Sequence, residues 1–327
     1  MATQQEHDST AELGSIPSIH LDALESAEER SRLDQACRDW GFFQLLGHDI
    51  NSSRRQQTFT AMSRFFQQPT TIKRGIERSA DNPWGFYDQE LTKNTRDWKE
   101  IFDVGPAVPD GRLAGATPQW PSLDGFREAI THHSITCEQI AQRLLAALAR
   151  TLSARPAELE QAFEPAHTSF LRLNYYPPCS RPEAPAGLAT ASTGHLGINH
   201  HTDAGALTVL MQDAVDGLQV YKDGCWHTIE PLADALIINI GDIVQVWSND
   251  RYHAPLHRVL ANANRERFSA AYFYNPSASA VYAPLSHLGT PRYQPISWGE
   301  FRTARAAGDY ANQGEEIQIS HFRRTAG

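Results

Sequence analysis

Cysteine is scarce in this chain: four among 327 residues, at 37, 137, 179 and 225, with no C-x-x-C pair. That spacing argues against a cysteine-held zinc site and for a reducing compartment. Long apolar runs are missing too. The best, Ala235–Ile240, is ended by Gly241 and Asp242, far short of the roughly 18 residues that cross a bilayer. The first 20 residues are polar and acidic and hold no apolar core of the kind a signal peptide needs. There is no basic run: 29 basic residues stand against 38 acidic ones, a net charge of −9 with histidine neutral. Nucleic acid and anionic membranes are therefore poor partners. With 41% hydrophobic and 20% charged residues, the chain is neither disordered nor a membrane protein. The expectation is a soluble cytoplasmic enzyme, monomeric or weakly dimeric, acting on a small molecule.

Residues 1–15 read as a flexible lead and Ile16–Leu21 as a short extended segment. Asp22 and Glu25 have capping-box spacing, opening a helix that runs to about Trp40. Phe42–Leu46 reads as a buried strand and Ser52–Phe66 as a second helix. Residues 122–152 carry the longest helical signal, because Ile140, Leu144, Leu148 and Leu152 recur every four residues. After Pro165 the pattern turns to short β-type runs: Phe170–Tyr176, Leu207–Met211, Leu218–Tyr221, Trp226–Ile229, Leu236–Ile240, Ile243–Trp247 and Phe268–Tyr274. Asp223–Gly224 signals a hairpin between two of them. Polar helical segments follow around Trp298–Ala307, and the tail ends in Ser320–Arg324. The expected fold class is mainly β with flanking helices. An N-terminal helical or mixed region over 16–164, a β core over 165–285 and a C-terminal helical cap over 286–327 would form one compact unit. Jelly-roll topology suits the β core.

The β half holds His201-Thr202-Asp203 and, 54 residues after Asp203, His257. Two imidazoles and one carboxylate are the donor set of a facial triad, which binds Fe(II) and leaves three positions open. On a strand, period two places His201 and Asp203 on one face, and His257 must come from another strand. H-x-D alone carries little, and its second occurrence, His20–Asp22, reads as a helix cap. The weight comes from Arg267-Phe268-Ser269, the only R-x-S in the chain, ten residues after His257. On a strand Arg267 and Ser269 share a face, where a planar guanidinium and a hydroxyl can hold a carboxylate co-substrate beside the metal.

Several runs now fall into a familiar order: Asn199-His-His-Thr-Asp-Ala-Gly-Ala-Leu-Thr-Val-Leu, Asp216-Gly-Leu-Gln-Val, Asn239-Ile-Gly-Asp, Trp247-Ser-Asn-Asp and His257-Arg-Val. Trp40-Gly-Phe-Phe-Gln, Phe65-Phe66 and Asp97-Trp-Lys-Glu precede them, and Gly314-Glu-Glu-Ile-Gln-Ile-Ser-His follows. From residue 16 to 324 the chain resembles the isopenicillin N synthase-like, plant-type branch of the non-haem Fe(II), 2-oxoglutarate-dependent oxygenases. The resemblance implies a double-stranded β-helix core with catalytic iron on His201, Asp203 and His257. It also implies that Arg267 and Ser269 hold the far carboxylate of 2-oxoglutarate and that Asn174 and Tyr176 line the co-substrate site. The implied reaction uses O2 to oxidise an unactivated C–H bond of a small specialised metabolite or amino-acid derivative, releasing succinate and CO2.

Other residues become pocket candidates on the same footing. Trp84, Phe86 and Tyr87 precede a segment that faces the active site in the family. Phe273 and Asn275 continue the inward face of Arg267 and Ser269, and Phe322 in the closing tail is a lid candidate. The stretch between Cys179 and His201 is longer than the family's. Its extra residues, 184–196, are expected to overhang the metal and shape the pocket. His200 should face away from the metal and His132 and His133 should be solvated, while His195 and His253 lie in loops near the site. Three other readings stay open: an oxidase of the same family that needs no 2-oxoglutarate, a Zn2+-dependent hydrolase on the same ligands, and a non-catalytic binding module.

Overall fold

The computed structural model describes residues 16–108, 113–307 and 316–324; the lead over 1–15, expected to be flexible, and Gly314 with Glu315 of the closing motif lie outside them. From Phe170 onward the chain alternates between two antiparallel sheets. Phe170–Tyr176, Leu207–Gln212, Leu236–Ile240 and Arg267–Tyr274 enter an eight-stranded sheet. Leu196–His201, Leu218–Lys222, Cys225–Thr228 and His257–Leu260 form a four-stranded one. This alternation is the jelly roll, and it stacks the inward residues of both sheets around one interior.

The N-terminal half does more than flank this core. Ser18–His20 and Phe42–Leu46 extend one edge of the large sheet, while Glu100–Val104 and Gly85–Tyr87 extend the other. The long helix, Phe126–Thr151, covers the outer face, packing on Leu207–Gln212 and Arg267–Tyr274. Ile140, Leu144 and Leu148 are buried there, as their four-residue repeat requires. Arg267–Tyr274 shows how both faces are used. Phe268, Ala270, Tyr272 and Tyr274 join the core under the helix, while Arg267, Ser269, Ala271 and Phe273 line the interior cavity. A strand covered on both sides carries apolar and polar residues buried alike, so its burial does not alternate.

Several local expectations need correction. Ile243–Trp247 is not a strand: Asp242–Trp247 is a helix, opened by an extended Gly241 whose carbonyl accepts from Val244 N and Gln245 N at 3.1 and 3.2 Å. A short apolar run fits either period, and Asp242 in the first turn favours the helix. The first helix starts at Ala27, not near Asp22, because Ser26 caps the Glu29 amide at 3.1 Å and Glu29 accepts from His20 N at 2.6 Å. Asp22 sits in the Leu21–Ala23 3-10 turn, where His20 makes no side-chain cap bond. The Asp223–Gly224 hairpin forms as read: φ is 52° and 84°, and Lys222 pairs with Cys225.

Candidate active site

Between the sheets lies a cavity of ≈ 270 Å³. Strand Leu196–His201 delivers His201 to it at its last residue, and the neighbouring strand begins with His257 directly opposite in register. The two imidazole centroids are 4.3 Å apart. Asp203 follows the end of its strand, so strand alternation does not aim it, contrary to the period-two argument. Its backbone carbonyl accepts from Asp242 N at 2.8 Å, and its Oδ2 accepts from Asn239 Nδ2 at 2.8 Å and from the Thr208 hydroxyl. Oδ1 is left facing the histidines, 3.5 Å from His201 Nε2 and 3.6 Å from His257 Nε2.

The far side of each ring fixes its tautomer. His201 Nδ1 lies 2.9 Å from the Asn199 carbonyl and His257 Nδ1 lies 3.1 Å from that of Pro255. A carbonyl only accepts, so each Nδ1 carries a proton and each Nε2 is the ring nitrogen turned inward, free to ligate a metal that displaces any proton there. One donor atom from each of the three residues falls within 4.8 Å of the others. Burial pulls the His257 pKa down to about 4, helped by the neighbouring His201. Burial alone would raise the Asp203 carboxyl, but the two imidazoles and the Asn239 amide hold it well below the usual carboxylate range. Two imidazoles and a carboxylate, with no fourth His, Cys, Asp or Glu in the cluster among the described residues, suit Fe(II).

Arg267 lies at the other end of this wall. It stacks over Tyr176 at 5.1 Å, and gives Nη2 to Gln212 Oε1 at 2.8 Å and Nε to the Val215 carbonyl at 3.2 Å. Its Nη1 is buried with no hydrogen-bond partner among the described residues. Ser269 is one pleat along, its hydroxyl accepting from Asn174 Nδ2 at 3.4 Å, while Asn174 Oδ1 is likewise without a partner. A buried guanidinium N–H left without an acceptor costs free energy unless a ligand supplies one. The carboxylate of 2-oxoglutarate fits that requirement.

Trp84, Phe273 and Asn275 line the same cavity. Trp84 reaches it across Gly105, where a Cβ would come within 2.4 Å of the indole. The other pocket candidates are elsewhere. Phe86 is fully buried beside Phe65, Tyr87 lies under the Arg78 guanidinium at 4.2 Å, and Phe322 packs on Phe301 at 5.9 Å. None of the three lines the cavity. Residues 184–196 do not line it either. That loop is tied down outside, by Arg258 Nη1 to the Pro185 carbonyl at 2.8 Å and Trp226 Nε1 to that of Gly187 at 2.6 Å. His200 turns toward Trp226, His195 packs on Trp98, and His253 is exposed. His133 is buried with Nε2 3.5 Å from Cys137 Sγ, which corrects its solvated reading; His132 is exposed.

Sequence reasoning missed the ionic wall of the cavity. Arg78, Lys99 and Arg172 interlock there with Glu90, Asp97 and Asp103 through ion pairs of 2.6–3.2 Å. Asp97 also accepts from the backbone and side-chain nitrogens of Asn199 at 3.0 and 3.2 Å, anchoring the strand that carries His201. The Asp97-Trp-Lys-Glu run was the one available signal, and it did not reveal the partners.

Residues 167–276 match the family model of the 2OG-Fe(II) oxygenase superfamily, and residues 16–123 match that of the non-haem dioxygenase in morphine synthesis N-terminal region. Oxoglutarate-dependent flavonoid 7-O-demethylase 1 of Ocimum basilicum is 35% identical over 291 residues, 87% of this chain and 75% of that protein. Thebaine 6-O-demethylase of Papaver somniferum is 30% identical, covering 91% and 80%. The crystal structure of JOX2 in complex with 2OG, Fe and JA superposes with a TM-score of 0.78 at 30% identity, over 94% of this chain and 88% of that one. Triad, arginine and relatives agree, and the chain belongs to the 2OG-Fe(II) oxygenase superfamily, as an oxidoreductase that uses Fe(II), 2-oxoglutarate and O2.

Proposed function

We propose that this dioxygenase oxidises an unactivated C–H bond of a small specialised metabolite or amino-acid derivative, by hydroxylation, desaturation or ring closure. His201, Asp203 and His257 hold the metal, and Arg267 with Ser269 holds the distal carboxylate of 2-oxoglutarate, with Asn174 and Tyr176 beside it. When bound, Fe(II) and 2-oxoglutarate would turn O2 into an oxidant able to take hydrogen from such a bond, with succinate and CO2 as coproducts. This chain's residues do the positioning. The Asn199 and Pro255 carbonyls set the imidazole tautomers, and Asn239 and Thr208 hold Asp203 so that one oxygen faces inward. Arg267 fixes the co-substrate's orientation, and Trp84 and Phe273 give the substrate an apolar wall that excludes water.

The observation that carries this reading is the shared cavity: three inward donor atoms and an unpaired arginine N–H line one space. The same reading takes 16–164, 165–285 and 286–327 as one working unit, since the sheet has strands from both sides of residue 165. A cytoplasmic monomer or weak homodimer, with no nucleic-acid or membrane partner, accords with the charge of −9. No helix among the described residues is long and apolar enough to cross a membrane.

Anaerobic titration of the Fe(II)-loaded protein with 2-oxoglutarate tests the proposal. A saturable visible charge-transfer band that His257→Ala removes is the expected result. Bound iron with no band would overturn the co-substrate role and favour a 2-oxoglutarate-independent oxidase. Failure to bind iron would return the zinc hydrolase and the inert module.

A further inference from the structure

Arg302 stands apart from the other cavity cations. It sits on the Trp298–Ala307 helix, half-buried in the cavity wall. Nη1 donates to the Thr168 carbonyl at 3.1 Å, and the guanidinium lies over Phe170 at 5.5 Å. No carboxylate among the described residues is within ion-pair distance of it, and its other N–H groups have no partner among them. Arg305, one turn later, is in contrast fully engaged: it pairs with Glu316 at 3.1 Å and donates to the Thr202 and Ile317 carbonyls and to Gln318.

Strand register says where this cation lies. Arg267 pairs with Tyr176 at one level of the sheet, whereas Phe273 pairs with Phe170 and with Thr208 six residues along, about 20 Å away at strand rise. Thr208 holds Asp203, so the metal site is at the Phe273 level and 2-oxoglutarate runs back from it toward Arg267. Arg302, over Phe170, therefore lies at the level of the metal site and away from the Arg267 end.

Charge points the same way. Arg78, Lys99 and Arg172 are matched by Glu90, Asp97 and Asp103. Once Fe(II) and the 2-oxoglutarate dianion are in place, their charges balance with those of Asp203 and Arg267. Arg302 is the remaining positive charge. Burial pulls its pKa down to about 10, with Asp103 the only opposing influence, which still leaves it a cation.

We propose that Arg302 is a specificity-determining residue that binds a carboxylate on the substrate, so that the enzyme takes small monocarboxylic acids whose apolar body rests on Phe170, Phe273 and Trp84. Phe170 and Phe273 face each other at 4.9 Å, and Trp84 lies 5.9 Å from Phe170, a wall suited to an aryl or alicyclic body.

This rests on the reading given under Proposed function, and the test separates the two. Full-length protein is loaded with Fe(II) and saturating 2-oxoglutarate without oxygen. It is then titrated with phenylacetate, 3-phenylpropanoate and 4-cyclohexylbutanoate, each against its methyl ester, following perturbation of the charge-transfer band. At least one acid should bind about tenfold or more tightly than its ester, the scale of a charge-assisted hydrogen bond. Arg302→Gln should bring that ratio close to one, and Arg302→Lys should restore part of it. A residue that merely clamps the helix to Thr168 would change acid and ester affinity equally. Esters that bind as well as their acids in every pair, or an unchanged ratio in Arg302→Gln, would overturn the proposal while the band persists. Absence of the band in the wild-type protein would instead defeat the co-substrate reading.

Discussion

At the iron and co-substrate end of the cavity, the groups come from paired strands and their ends: His201 opposite His257, and Ser269 opposite both Asn174 and Gln212. Along the ionic wall they come from separate places: Arg78 before the edge strand, Asp103 and Arg172 on two neighbouring strands, and Lys99 between strands. The first region is fixed by backbone hydrogen bonding, which leaves side chains little choice of direction. The second is fixed by mutual pairing of buried charges, each of which depends on the others. The two regions should therefore fail differently when a residue is removed.

Asp203→Ala should have the largest effect. It should abolish iron-dependent turnover, well beyond the roughly 10–100-fold cost of removing a mere outer partner of a metal ligand; iron content and succinate release measure it. Wild-type turnover in this variant would end the triad assignment. Asp103→Asn should act on the fold instead. Asp103 accepts from both Arg78 and Arg172, and breaking a buried ion pair on one side costs about 3–5 kcal/mol. Chemical denaturation should show that loss, with 2-oxoglutarate affinity unchanged. A loss of affinity without a loss of stability would erase the distinction between the two regions.

Arg267→Ala should weaken 2-oxoglutarate binding by roughly 10- to 100-fold, the equivalent of about 1.5–3 kcal/mol for hydrogen bonds to a charged group, without changing iron content. An unchanged KM for 2-oxoglutarate would remove Arg267 as the anchor. Deleting residues 188–191 should have the smallest effect. The loop carries no cavity-lining residue, so turnover should stay within about twofold and stability within about 0.5 kcal/mol. A clear change in substrate KM would bring the loop back to the pocket.

How far the sequence could be read follows the same division. Ser52–Phe66, Phe170–Tyr176, Leu236–Ile240 and Trp298–Ala307 have the bounds their patterns suggest. Ile243–Trp247 misled because a short apolar run fits either period and Asp242 before it opens a helix. Phe86 and Phe322 were placed at the pocket by their position along the chain, but packing turned them toward Phe65 and Phe301. No local pattern marks Thr208 or Asn239 as supports of Asp203, since that contact requires three segments to meet.

By itself, the sequence determined the jelly-roll class and marked His201, Asp203 and His257 as candidate donors and Arg267 with Ser269 as a candidate anchor. Local period suffices for Arg267 and Ser269, since residues two apart on a strand share a face; His201, Asp203 and His257 were marked by their order among the other motifs, because Asp203 lies beyond its strand. Tertiary structure alone decided how Asp203 is aimed after its strand ends, which charges are matched, and that Arg302 has no carboxylate partner among the described residues. Charge balance is a property of distances between segments far apart in the chain, and those distances exist only once the sheets have closed around the cavity.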